Sequence, residues 1–403
     1  MSKVNVPKIL FVHGTKIELS YDNKLYTTGS YNMKVWERYL FHTNYFTVLA
    51  FLNKNKLSIS NNKNYLDSNR IRTKLIVNNN SSKILNYLFP KKKKIKAFIE
   101  KQIIEHDLII VRMPSRISNI AFDLATKHNK KIIVEVVGSA FDSLWYHSFK
   151  GKILAFNSHF QMKKRVLYAK NVIYVTEKYL QKQYPTLGSS IPCSNVVLSK
   201  GNINSRSKFD LSNDVLRIGI IGKTDVRYKG HKTIIAALSH MKIRGFSNFV
   251  LEIVGDGDKT KILNYAHSKK LSNNILFLST IEHNKIYDWL SKINIYIQPS
   301  LTEGLPRSVI EAMASGCVVI GSDAGGIPEL LNHNMIFKKG KYKELVKILY
   351  EILHCDLPLN DYILNNKAKA LEFLQENLEI RRNNFIRGII ENDNFTQAEQ
   401  YRK

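Results

Sequence analysis

The chain has 403 residues, 44% hydrophobic and 23% charged, enough apolar material for two ordinary soluble domains and too long for one. Its formal charge of +28 is lopsided: residues 1–200 carry 33 Lys and Arg against 11 Asp and Glu, a balance of +22, and residues 201–403 carry 28 against 22, a balance of +6. Three distant cysteines (Cys193, Cys317, Cys355) exclude a disulfide framework or a CxxC zinc site, no run approaches the roughly 18 apolar residues of a spanning helix, and the N-terminal MSKVNVPKILFVHG has no apolar core of a secretory signal, so a soluble, cytoplasmic protein is expected.

In chain order, short β-branched runs alternate with longer amphipathic stretches. The first half offers strands at Ile9–His13, Phe46–Phe51, Leu108–Arg112, Lys131–Val137 and Asn171–Thr176, with helices at Asn32–Tyr39, Ile95–Ile104 and Ile120–His128. The second offers strands at Leu216–Ile221, Phe249–Val254, Asn274–Leu278, Ile293–Gln298 and Cys317–Ser322, with helices at His231–Lys242 and Arg307–Ala314. Apolar strands alternating with helices predict parallel sheets covered on both faces. Two such series predict an α/β protein of two Rossmann-like, doubly wound domains facing across a cleft. The expected division is an N-terminal domain at 1–198, a polar linker at 199–214, a C-terminal domain at 215–375, and a last helix at 376–403 that crosses back to the N-terminal domain.

In open α/β sheets, ligands bind beyond the carboxyl ends of the strands, and that is where this chain keeps its unusual residues. After the strand ending at Gln298 comes PSLTEGLPRSVIEAMASG. Glu303 lies in the loop, Glu311 about one turn inside the helix that begins near Arg307, and both can face one cleft. Free N–H groups near Gly304 and Leu305 suit an anion or a hydroxyl, and carboxylates suit a polyol. The plainer reading is a surface loop with a capping acid; the small residues that follow and the second glycine turn at Ala324–Gly326 favour a cleft. After the strand ending at Ile221, Gly222 permits close approach, and Lys223, Arg227 and Lys229 can neutralise a diphosphate, although a basic surface turn has the same composition. In the first half, three strand-end or loop segments stand out: YTTGSY with Gly29, RMPSR with Arg112, and GSAFDSLWYH with Asp142 and His147. Asp142 reads either as a group that meets a hydroxyl or as a helix N-cap near Ser143.

EGLPRSVIE, GSDAGGIPEL, GKTDVRYKG and VGDGD, in register across about 215–335, together resemble the retaining glycosyltransferases of family 4, which have the GT-B fold. That resemblance implies a nucleotide-diphosphate sugar donor, UDP-linked in the first instance, with no cofactor and no metal. It places Lys223 and Lys229 on the donor diphosphate, Glu303 on the donor sugar and Glu311 on the ribose, with Gly222, Arg227, Gly304 and Leu305 completing the donor site. The residue at Lys223 is usually Arg in the family; Lys keeps the charge and loses the fork, with Arg227 placed to compensate. A family His near the strand end before Gly138 is absent. Asp142 is the expected substitute, and with Glu303 and Lys229 it makes up the expected catalytic set. Gly29, Arg112, Asp142 and His147 make up the expected acceptor side.

VVGSAFDSLWYH and YVTEKYLQKQYP resemble transferases of capsule and O-antigen synthesis, which implies an undecaprenyl-diphosphate-linked saccharide acceptor. The basic first half (Lys91–Lys94, Lys96, Lys163, Lys164, Arg165), with Tyr87, Phe89 and Phe98, then fits an anionic membrane surface on the inner face of a bacterial cytoplasmic membrane. A Lys-rich solvated face is the alternative. Outside this reading stand a nucleic-acid-binding protein, for which no recognition motif is found, and a phosphorylase or epimerase of the same fold.

Overall fold

The computed structural model describes all residues except 1–5, 22, 29–30, 32, 58–62, 78–90, 147–148, 205, 210–214, 283–284, 355–356 and 401–403. Among the described residues the first sheet contains β1 (Lys8–Ser20), β2 (Leu25–Thr28), β3 (Tyr45–Leu57), β4 (Lys63–Tyr65), β5 (Arg72–Val77), β6 (Leu108–Met113), β7 (Lys131–Val136), β8 (Asn171–Tyr174) and β9 (Ser189–Pro192). Strands β5, β3, β1, β6, β7, β8 and β9 lie side by side in that order, all parallel. Ile9–Val12 and Leu108–Val111 are buried along their whole length, as strands covered by helices on both faces must be.

β1 and β3 run further than their apolar runs suggest. Beyond His13, β1 switches to the alternating Lys16-Ile17-Glu18-Leu19, buries Ile17, and pairs antiparallel with β2, which carries β4 on its other edge. Only one face of this stretch, that of Ile17, is fully buried, and a strand buried on one face has period two.

The second sheet is built from β10 (Leu216–Ile221), β11 (Phe249–Val254), β12 (Ile275–Leu278), β13 (Ile295–Gln298), β14 (Val318–Ser322) and β15 (Ile336–Phe337), in the order β12-β11-β10-β13-β14-β15. Every pairing is parallel. The winding direction reverses between β1 and β6 in one sheet and between β10 and β13 in the other. At such a point the loops leaving the two neighbouring strands diverge to opposite faces and open a crevice.

The carboxyl-end rims of the two sheets meet. A Cβ on Gly304, in the loop after β13, would lie 2.3 Å from the carbonyl oxygen of Val137, just past β7; a residue without a side chain is what lets these backbones touch. Glu329, beyond β14, accepts backbone N–H bonds from Glu177 at 2.7 Å and Lys178 at 3.1 Å, and a third, shorter one from Tyr179. These three residues follow β8 and lead into the short helix Tyr179–Gln183. One carboxylate thus takes up the orphan donors of a helix start in the opposite half.

The helix Gln375–Gln400 lies against first-half residues. Its buried Arg382 donates to Ser194 O at 2.9 Å, Asn383 meets His42 Nε2 at 3.1 Å, and Lys131 Nζ donates to Ile389 O and Ile390 O at 2.9 Å each. The join between halves is pinned at Arg206, whose guanidinium donates to the carbonyls of Gly316, Ser291 and Ile293. Among the described residues no helix is long and apolar enough to cross a membrane.

Candidate active site

At the second sheet's crevice, β10 ends and the chain passes into Gly222. A Cβ there would sit 3.0 Å from Cγ of Lys229, so the bare backbone lets the lysine stem fold back over the strand end. A short turn, Arg227–Lys229, precedes the helix His231–Ile243 and aims Lys229 at the neighbouring loop. There its Nζ donates to Glu303 Oε1 at 2.6 Å. The lysine side chain is 20% exposed and the glutamate 13%, so both line a partly open surface.

Glu303 does not depend on the lysine alone. The same Oε1 accepts from Ser300 Oγ at 2.7 Å and from Gln298 Nε2 at 3.0 Å. Gln298 is fixed in turn: its Oε1 accepts from Tyr296 OH at 2.7 Å and from Ser308 Oγ at 3.1 Å. Residues 296, 298 and 300 thus form a buried polar ladder from strand to loop, capped from the helix start by Ser308. Burial holds the Tyr296 phenol far above its ordinary range, and the charges of Glu311 and Glu303 add to this. Glu311 is buried within the helix Arg307–Ala314. Lys223 and Arg227 are exposed on the loop that carries Lys229.

Below that loop, His231 is 3% exposed. Burial pulls its pKa down to about 4; a hydrogen bond to the Gly222 backbone works the other way, and the Lys229 charge lowers it further. The ring is neutral at pH 7 and supports the Gly222 turn.

The first half's rim brings different chemistry. Arg112, at the end of β6, is buried beside Glu135, Nη1 to Oε2 at 3.7 Å, and lies over the Tyr31 ring at 5.3 Å. It shares a cavity of about 200 Å³ with Val35, Arg38, Val137, Val175, Asn195, Leu305 and Arg307. Arg112 and Leu305, drawn from opposite halves, thus line one space. Asp142 lies elsewhere on the rim. It is not the N-cap of its helix: Ser139 caps it, with Asp142 N donating to Ser139 Oγ at 3.2 Å, because Ser139 is the residue with extended backbone geometry. The Asp142 carboxylate instead accepts from Tyr179 OH at 3.0 Å, the residue whose N–H reaches Glu329. Gly29 and His147 lie outside the described residues. Among the described residues no group of three or more His, Cys, Asp or Glu side chains is placed to hold a metal ion.

The family model "Glycosyl transferases group 1" matches residues 205–370. Over 386 residues, 93% of this chain and 94% of the relative, the sequence is 33% identical to Protein CapJ of Staphylococcus aureus. The chain belongs to the glycosyl transferases group 1. As a glycosyltransferase it is also 30% identical, over 152 residues (35% of the chain and 37% of the relative), to the amylovoran biosynthesis glycosyltransferase AmsK of Erwinia amylovora. Among solved structures, HepE of Anabaena in complex with UDP-glucose is similar, with a TM-score of 0.63 at 16% identity over 95% of this chain and 100% of that one. The two facing parallel sheets of this glycosyltransferase are those of a GT-B fold.

Several site residues carried no sequence signal of their own. Gln298 read as a strand end, Ser300 as part of the loop after it, Arg307 as a helix start, and Arg38 as one more cation in a basic half. Glu329 was visible inside GSDAGGIPEL, but its partners lie about 150 positions away in sequence.

His231 sets a pH test of the rim. Unfolded, it titrates near 6.5, and folded near 4. As pH falls below 6.5 the unfolded chain binds a proton that the folded site refuses, and stability is lost progressively down to about pH 4. For this one group the loss amounts to about 3 kcal/mol. Urea unfolding followed from pH 7 to pH 4 should show that loss, and His231→Gln should have a shallower slope. An equal slope in both proteins contradicts this account.

Proposed function

We propose that this glycosyltransferase moves a sugar, with retention at the anomeric carbon, from a nucleotide-diphosphate donor to a lipid-linked saccharide in the synthesis of a cell-surface polysaccharide of the capsule or O-antigen type. The observation that carries this is the contact of Lys229 with Glu303 where the loops after β10 and β13 diverge: a cation for a diphosphate lies within one hydrogen bond of a carboxylate for sugar hydroxyls. The resemblance to family 4 supplies the retention, and kinship with an amylovoran biosynthesis enzyme supports a polysaccharide product. The UDP-glucose in the Anabaena structure makes uridine the base to try first.

In the proposed reaction Lys229, with Lys223 and Arg227 nearby, takes up charge on the diphosphate as the bond from the anomeric carbon to the phosphate oxygen breaks. An acceptor hydroxyl forms the new bond from the face the diphosphate is leaving, and its proton passes to the departing phosphate oxygen. No protein nucleophile, cofactor or metal is needed in this scheme. Glu303 holds donor hydroxyls, Glu311 the ribose, and Gly304 and Leu305 offer backbone donors. Asp142, whose Oδ2 is taken by Tyr179, presents Oδ1 to the acceptor hydroxyl. Gly29 and His147 belong to the same acceptor side on sequence grounds.

The lipid-linked acceptor calls for a membrane surface, and the helix Phe149–Leu167, which carries the Lys163, Lys164 and Arg165 named from the sequence, supplies a candidate with apolar residues that the sequence reading did not name. It turns Met162 and Val166 into the core and leaves Ile153, Leu154, Phe156 and Phe160 exposed, beside exposed Lys152, Lys163 and Lys164. Apolar side chains flanked by cations suit an anionic bilayer. Of the groups expected there, Arg165 is held by Asp123 at 2.7 and 2.8 Å, Phe98 packs against the first-half core, and Tyr87 and Phe89 lie outside the described residues.

Thermal shift of the purified protein against a panel of nucleotide sugars should single out a donor. With it, Lys229→Ala and Glu303→Ala should each lower transfer by about 100-fold or more in protein that stays folded; full turnover in both variants refutes the assignment. In a separate experiment, vesicles containing anionic phospholipid should sediment the wild-type protein and release it with salt, whereas Phe156→Asp with Phe160→Asp should stay in the supernatant. Equal sedimentation of the two proteins rules out this helix as the docking face.

A further inference from the structure

Several positive charges are buried where the two halves meet, with few acids to balance them. Arg38 is 5% exposed, Arg112 8% and Arg382 1%. Arg38 is held by an amide rather than an acid: it donates to Asn195 Oδ1 at 3.1 Å and to Asn195 O at 3.5 Å. Arg382 donates to a carbonyl, Ser194 O. Arg112 faces Glu135 at 3.7 Å, but that carboxylate already accepts from Tyr39 OH at 2.6 Å on its other oxygen. Nε of Arg38 and both Nε and Nη1 of Arg382 are buried without a hydrogen-bond partner among the described residues. A guanidinium in that state is expensive unless a counter-ion joins it. Burial, then the neighbouring Arg382 charge, push the Arg38 pKa down to about 10, as expected where cations outnumber anions.

Two of these arginines open onto empty space. The cavity of about 200 Å³ has Arg38 and Arg112 on the first-half wall, Arg307 from the second half opposite, and Val35, Val137, Val175 and Leu305 between them. It is large enough for a phosphate group, and its charged wall is all cationic. Forked guanidinium donors match phosphate oxygens, and apolar walls strengthen the attraction. The cavity is separate from the Lys223–Lys229 loop, yet it shares Leu305 with the loop that holds Glu303.

We propose that this cavity is an oxyanion site for a phosphate of the acceptor, gripped by Arg38 and Arg112 from one half and Arg307 from the other. The assignment of the phosphate to the acceptor rests on the donor reading above; the existence of the site does not. Occupation joins the halves through the ligand, so an acceptor phosphate both anchors the lipid-linked end and draws Arg307 toward the first-half rim. The acceptor sugar is then presented beside Leu305, toward Glu303.

The probe is inorganic pyrophosphate, titrated calorimetrically into the purified protein with and without saturating UDP. One class of binding should survive saturating UDP and survive Lys229→Ala. Arg112→Gln and Arg307→Gln should each weaken it at least tenfold while leaving UDP affinity within twofold, and Arg307→Lys should restore part of it. Should Arg112→Gln not fold, Arg307→Gln carries the test, since that side chain is only partly buried at a helix start. Pyrophosphate binding that UDP abolishes, or that disappears in Lys229→Ala and not in Arg307→Gln, assigns the phosphate to the donor and overturns the proposal. Indifference to both arginine variants does the same. A wild-type protein that ignores every nucleoside diphosphate of the donor panel, yet binds pyrophosphate through Arg307, sinks the donor reading and keeps the site.

Discussion

Lys229 spans the gap between the two loops that diverge beyond β10 and β13, and its partner Glu303 is fixed by two further donors on the same oxygen. For an ion pair so largely buried, desolvation offsets much of the attraction, and the pair is weak evidence of stability by itself. Its value is positional. The lysine is held at the strand-end crevice, and the glutamate is built into a ladder that starts at the buried Tyr296 and ends at Ser300.

That arrangement matters only because the other half faces it. The close approach of Gly304 to the Val137 carbonyl and the three backbone donors that meet Glu329 bring the rims of two independent sheets into register. The first contact is steric, and any side chain at position 304 would force the rims apart. The second is electrostatic, a carboxylate at the start of a short helix. Between them Arg38 and Arg112 of the first-half rim come to line one cavity with Leu305 and Arg307 of the loop and helix after β13. The helix Gln375–Gln400 ties the end of the chain to the first half through Arg382 and Lys131, which limits how far the rims can separate.

Much of this was legible in the sequence, for a physical reason that also marks where legibility ends. β10 and β11 have the bounds read from their apolar runs, Leu216–Ile221 and Phe249–Val254, because a strand buried on both faces is a continuous apolar stretch between polar turns. The helix Arg307–Ala314 is likewise where its small and apolar residues place it. The extensions of β1 and β3 escaped, since an edge branch alternates and contains residues such as Lys16 and Glu18 that look like loop. Strands β2, β4, β9 and β15 have four residues or fewer, too short to show a period. In the site, Lys229 and Glu303 stood out because they sit in glycine-rich turns next to clear strands. Arg38, Arg112 and Arg382 stand 74 or more positions apart from one another, and only the folded arrangement makes three ordinary arginines into one cluster. Asp142 shows the converse: its position left both a hydroxyl-binding group and a cap open, and in the fold Ser139 is the cap while Tyr179, at the start of the next short helix, donates to its carboxylate.

The central claim is that Lys229 and Glu303 divide one ligand between them, the first taking its diphosphate and the second its sugar. Affinities of UDP and of the matching UDP-sugar, measured calorimetrically on wild type, Lys229→Met and Glu303→Gln, read that division directly. Lys229→Met should weaken both ligands by a similar factor of ten or more, whereas Glu303→Gln should weaken the UDP-sugar and leave UDP nearly unchanged. Equal losses for both ligands in Glu303→Gln, or an unaltered UDP affinity in Lys229→Met, would contradict it.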